Sequence, residues 1–158
     1  MTETALFPDF NMITMRRRYK CSAALLFAAH SQPEHLIRWF GPQPYPLTTC
    51  EVDFRVGGSF RFAMTGPDGV QGPFFGGSYR EIDPDRRIVY DNGFHLEGAE
   101  RMLTLFTFED RGPQTELSMI TIFGSAAMYK DHVGMGFAEG AGIGMDQLAE
   151  HLAAVQAG

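Results

Sequence analysis

The sequence is poor in cysteine, tryptophan, positive charge and long apolar runs, and each shortage excludes something. Only Cys21 and Cys50 occur in 158 residues. They lack the close spacing of a metal or redox pair, so two reduced, unbonded thiols are expected. No apolar stretch approaches the roughly 18 residues a membrane span requires, which predicts no membrane insertion. Thirteen basic residues against nineteen acidic ones give a net charge of −6, which argues against nucleic acid or anionic membranes as partners. The short run Arg16, Arg17, Arg18 does not reverse that balance and suits a solvated strand face. Residues 1–11 carry Glu3 and Asp9 where a signal peptide would be basic and then apolar, so a mobile tail and a cytoplasmic location are expected. No nucleophile motif or phosphate loop is present.

What the chain does have is phenylalanine and glycine, fourteen and eighteen residues respectively, a combination that favours strands and turns. Length and composition predict a single domain over 1–158. Residues 12–20 have the alternation of a first strand, with Ile13, Met15 and Tyr19 on one face and Arg17 among them. Ser22 is placed to cap a short helix over 23–29. Ser31 and Glu34 have capping-box spacing for a second helix that begins at Pro33 and stops at Gly41-Pro42. From Leu47 to Ile122 the period becomes two. Segments 47–54, 59–64, 77–82, 87–94, 101–109 and 115–123 alternate between turn-forming residues.

One long amphipathic helix is predicted from Tyr129 to Val155. Val133, Phe137, Ala141, Leu148, Leu152 and Val155 share a side, while His132, Glu139, Asp146 and Glu150 face the other way. Gly134, Gly136, Gly140, Gly142 and Gly144 interrupt it, each at a cost of roughly 1 kcal/mol relative to alanine. The small residues leave the inner face nearly bare between Phe137 and Leu148. Three readings fit: a helix roofing a space, close backbone packing on a sheet, or a break between Gly140 and Gly144.

Several words of the sequence bear a family resemblance: Arg38-Trp39-Phe40-Gly41-Pro42, Asp53-Phe54-Arg55-Val56-Gly57-Gly58, Gly66-Pro67-Asp68-Gly69, Tyr79-Arg80-Glu81-Ile82-Asp83-Pro84, and Gly140 ahead of Met145-Asp146-Gln147-Leu148-Ala149. Their order resembles the SRPBCC/START-like superfamily, and within it the group named after the C-terminal domain of the heat-shock-protein-90 ATPase activator. The resemblance covers roughly residues 12–155. It implies an α+β helix-grip fold, in which a curved antiparallel sheet of about seven strands wraps a long C-terminal helix and two short helices follow the first strand. The group usually carries Trp after the glycine matching Gly140. Ala141 stands there in this chain, which favours the space over close packing.

The expected activity is binding of a small hydrophobic or amphipathic molecule between sheet and helix, with no catalytic residue, metal or cofactor assigned. The expected lining is Phe60, Phe62, Phe106, Phe108, Phe137, Ala141 and Tyr79, with Trp39 and Phe40 resembling the superfamily's pocket mouth. A cyclase, dehydrase or hydrolase in the same cavity would need Tyr79, Tyr90, Asp53, Arg55 or His95 to converge inside it. His95 and Glu97 near Asp91 are the one neighbourhood resembling a metal or acid–base cluster, in a place where loop-edge charges are ordinary. His30, His35, His132 and His151 read as exposed or peripheral. A co-chaperone role rests on the family analogy alone, and self-association into a homodimer stays open.

Overall fold

Residues 2–158 are described by the structure, a computed structural model. Eight antiparallel strands form one sheet in the order β1-β2-β8-β7-β6-β5-β4-β3. They are β1 (Glu3–Phe7), β2 (Met12–Tyr19), β3 (Leu47–Val52), β4 (Ser59–Met64), β5 (Phe75–Asp83), β6 (Arg87–Phe94), β7 (Met102–Arg111) and β8 (Gln114–Ile122). The helices are α1 (Ala23–Ser31), α2 (Pro33–Trp39), α3 (Ala126–Gly134) and α4 (Phe137–Ala157). No helix among the described residues is long and apolar enough to cross a membrane.

Strands β3 to β8 form a meander, and its last strand pairs with β2, Ile13 opposite Thr121 and Tyr19 opposite Thr115. The alternation read in the sequence sets the two faces. Ile13, Met15 and Tyr19 are buried, as are Phe60 and Phe62 on β4 and Phe106 and Phe108 on β7. A sheet with one apolar face needs a cover, and α4 supplies it, with Met145, Leu148 and Leu152 pointing inward. This is the helix-grip arrangement.

Three expectations about elements need correcting. First, a mobile tail does not describe residues 3–10. Glu3 to Phe7 pair with Met12 to Arg16, and Pro8–Phe10 form a 3-10 turn; β1 is an eighth strand, exposed along its length. Second, Ser31 is not a helix cap. It is the last residue of α1, and Gln32 occupies the cap of α2 without a side-chain bond. Ser22 does cap α1, its Oγ accepting from Leu25 N at 3.1 Å.

Third, the C-terminal helix is two helices. The chain turns at Met135 and at Gly136, whose φ of +82° lies in the left-handed region that glycine enters without a Cβ clash. The break thus falls ahead of the interval between Gly140 and Gly144. Close backbone packing on the sheet does not explain the remaining glycines: a Cβ at Gly134 or Gly142 would meet nothing within 4 Å, at Gly140 only Pro42 Cγ at 3.9 Å, and at Gly144 the carbonyl oxygens of Phe40 and Trp39 at 3.6 and 3.9 Å, an ordinary contact with the end of α2.

Side-chain bonds hold α4 in place. Gln147 Nε2 donates to the carbonyls of Trp39 at 2.8 Å and Gly41 at 2.9 Å. Its Oε1 accepts from Gln43 N at 2.9 Å, so one amide ties the end of α2 to the middle of α4. Tyr19 Oη donates to Met145 O at 3.2 Å, and Arg17 reaches from the inner face of β2 to pair with Asp146. That pairing explains an arginine among apolar neighbours. Arg16 and Arg18 pair with Glu3 and Glu116.

Candidate functional site

Between the N-terminal half of α4 and the middle of the sheet lies a cavity of about 530 Å³, within the range of small-molecule sites. Its roof is Phe137, Gly140, Ala141 and Gly144, and β6 to β8 provide its floor. The small residues on the inner face of α4 therefore border open volume. Exposed Met135 and Phe94 sit at its edge, while Leu117, Phe106 and Thr104 are buried. The cavity runs from rim to interior along β6, past Phe94, Asn92 and Tyr90.

Of the nine residues expected to line such a space, Trp39, Phe40, Phe106, Phe137 and Ala141 do border it. Phe60, Phe62, Tyr79 and Phe108 do not. Phe108 is covered by Phe27 of α1 at a ring distance of 5.4 Å. Phe60 and Tyr79 pack on each other at 5.5 Å, and Phe54 closes over Tyr79 at 4.9 Å. Phe62 lies behind Phe40 and Phe75, at 5.2 and 5.9 Å. One end of the concave face is thus filled by aromatic rings beneath α1, and the other end, beneath α4, holds the cavity.

Methionine was not anticipated. Met64, Met102, Met119, Met128, Met135 and Met145 all line the cavity, giving a wall of flexible, polarisable side chains that can reshape around different occupants.

Two histidines were misplaced by the sequence reading. His132 is half-buried and borders the cavity; its Nδ1 donates to Met128 O at 2.9 Å, and its ring lies 4.9 Å from Phe123. His30 is 7% exposed and forms part of the cavity wall. It sits among Trp39, Phe106 and Phe108 at ring distances of 4.9, 4.8 and 5.2 Å. Its Nδ1 is 2.8 Å from Leu26 O, and because a carbonyl can only accept, Nδ1 carries the proton. Nε2 is then a bare lone pair, buried without a hydrogen-bond partner among the described residues. Burial pushes the imidazole pKa down to about 4, so the ring is neutral near pH 7.

The remaining polar candidates lie elsewhere. Asp53 and Arg55 pair with each other at 2.9 Å, largely exposed, and Tyr79 is in the core. Tyr90 alone of the five groups named for catalysis borders the cavity; burial raises its pKa, so its phenol stays protonated. Asp91 turns away from His95 and Glu97 towards Ser78, Arg80 and Arg101, at 2.7, 3.3 and 2.5 Å. Burial would raise the Asp91 pKa, but the bonds from Ser78 and Arg101, the Arg101 charge and the bond from Arg80 outweigh it and hold the carboxyl below its usual range. No group of three or more His, Cys, Asp or Glu that could hold a metal is found among the described residues. Cys21 and Cys50 are free thiols, both pushed up to about 11 by burial.

Comparison with known proteins places this geometry. The structure resembles a protein of Mycobacterium smegmatis at 23% identity, TM-score 0.86, covering 97% of this chain and 98% of that one. It also resembles one from Rhodobacter sphaeroides at 21% identity, TM-score 0.87, covering 98% and 99%. A protein from Arthrobacter aurescens matches at 23% identity, TM-score 0.88, covering 96% and 91%. At these identities the likeness is one of fold. No curated protein matches the sequence. A family model does match, across residues 20–153, and its description is Activator of Hsp90 ATPase homolog 1-like protein. With most of its length inside that match and a sheet gripping its C-terminal helix, the chain belongs to the Activator of Hsp90 ATPase homolog 1-like family and has the helix-grip fold.

Proposed function

We propose that the protein binds a small, largely apolar molecule in the cavity between α4 and the sheet. The supporting observation is a volume of about 530 Å³ bordered by aromatic rings and six methionines, with no Lys, Arg, Asp or Glu among the described lining residues. Removing apolar surface from water drives such binding at about 25 cal/mol per Å², and a wall without charges imposes no ionic desolvation cost on a neutral occupant.

Titration with the neutral fluorophore N-phenyl-1-naphthylamine tests this. Saturable fluorescence enhancement with one site per chain is expected, accompanied by protection of Met128 and Met145 from oxidation. Absence of saturable uptake overturns the proposal.

A further inference from the structure

Two of the polar atoms buried without a partner, His30 Nε2 and Asn92 Oδ1, belong to residues of the same cavity wall. Such groups are few in folded proteins, and each calls for an explanation. The sheet register adds to them. Tyr90 of β6 lies opposite Thr104 of β7, and both border the cavity among Phe106, Met102 and Met119; Thr104 in turn lies opposite Thr121 of β8, which does not border it. Thr121 is fully buried, and its Oγ1 also lacks a partner. Burying such groups without a bond is costly, and among the described residues none bonds His30 Nε2, Asn92 Oδ1 or Thr121 Oγ1.

Resting on the binding function above, we infer that the ligand is a neutral molecule carrying a hydroxyl group, and that this hydroxyl donates its hydrogen bond to Nε2 of His30. The polarity follows from the tautomer. Leu26 O fixes the proton on Nδ1, so Nε2 can only accept, and a ligand carbonyl or ether offers it nothing. A carboxylate or phosphate is disfavoured by the absence of Lys and Arg along the described lining, because an unpaired buried anion is costly. His30 stands with buried Phe106 and Leu117, away from exposed Met135 and Phe94. The hydroxyl therefore enters first, and the apolar remainder of the molecule trails towards the rim. Asn92, nearer the rim on β6, offers its amide to a second polar group. Nε2 is enclosed by neighbouring side chains, so the bond forms as the ring cluster shifts to admit the hydroxyl.

The test compares 4-hydroxybiphenyl with 4-methylbiphenyl, two neutral molecules of nearly the same shape, in wild-type protein and in His30→Phe, which keeps a ring in the aromatic cluster. The affinity ratio of hydroxyl to methyl compound is expected to be about tenfold larger in wild type than in the variant, the coupling of one hydrogen bond. In protein labelled with ¹⁵N-histidine, the His30 Nε2 resonance should move towards the protonated-nitrogen range with the hydroxyl compound and stay put with the methyl compound. Because this second reading uses wild-type protein, it decides the matter even if His30→Phe fails to fold. Equal ratios in a folded variant, or an Nε2 resonance that responds alike to both compounds, overturn the His30 assignment while leaving the cavity a binding site. If neither compound binds and the fluorophore also fails, both readings fall.

Discussion

His30 shows how one side chain can be misplaced by pattern reading and still have been legible. A histidine next to Ser31 at the end of a short helix looks peripheral. Yet Ala23-Ala24-Leu25-Leu26-Phe27-Ala28-Ala29 is apolar all round, and a helix without a polar face is buried. In the structure Leu26, Phe27, Ala29, His30 and Ser31 are all buried. Its consequence for stability has a definite sign. Burial lowers the folded pKa to about 4 from 6.5, so between these values the unfolded chain binds a proton that the native state refuses. Stability must therefore fall as pH drops from about 6.5 to about 4, by on the order of 3 kcal/mol in total, and this group adds no further loss below that. The rings around it, Trp39, Phe106 and Phe108, do not titrate. Urea unfolding at pH 7, 5.5 and 4.5 should show a steeper loss in wild type than in His30→Phe. Parallel losses would mean that His30 is already protonated in the folded protein or that other groups dominate.

Elements were legible where their pattern is local. The strands from Leu47 onward show period two between turn residues, and all of them form. The pairing of β2 with β8 joins residues about a hundred positions apart, and no local pattern announces it. β1 was missed because both of its faces are exposed, so it has no apolar alternation to read. The glycine cluster announced trouble in the last helix, but composition cannot choose among five glycines; the backbone does, at Gly136. This makes opposite predictions for neighbouring positions. Gly136→Ala forces a Cβ into φ +82° and should cost about 1 to 2 kcal/mol. Gly142→Ala lies inside α4, where a Cβ meets nothing within 4 Å, and should stabilise by about 0.5 to 1 kcal/mol. Urea midpoints at unchanged m-value would report both. A neutral Gly136→Ala would show that the α3–α4 break is not held by this backbone conformation.

At the scale of the whole molecule, the fold divides its concave face between two uses. Beneath α1 the rings of Phe27, Phe54, Phe60, Tyr79 and Phe108 interlock, and beneath α4 the small residues leave volume. The sequence showed a phenylalanine stripe and a bare helix face. It could not show which phenylalanines face which helix, because that depends on where α1 lies across the sheet. Ala141 is the position where the two uses can be exchanged. A tryptophan there adds a large ring to the roof of a cavity of about 530 Å³, where a packed core would resist added volume by about 1 to 3 kcal/mol. Ala141→Trp should therefore keep or raise the melting temperature without ligand. In wild type, N-phenyl-1-naphthylamine at a hundred times its dissociation constant should add about 2.7 kcal/mol, a rise of several degrees for a domain of this size. The ring and the fluorophore compete for one volume, so the variant should show little or none of that rise. A melting temperature that falls in Ala141→Trp without ligand would mean the space beneath α4 is closed in solution by the methionines that border it, and the division of the concave face would have to be abandoned.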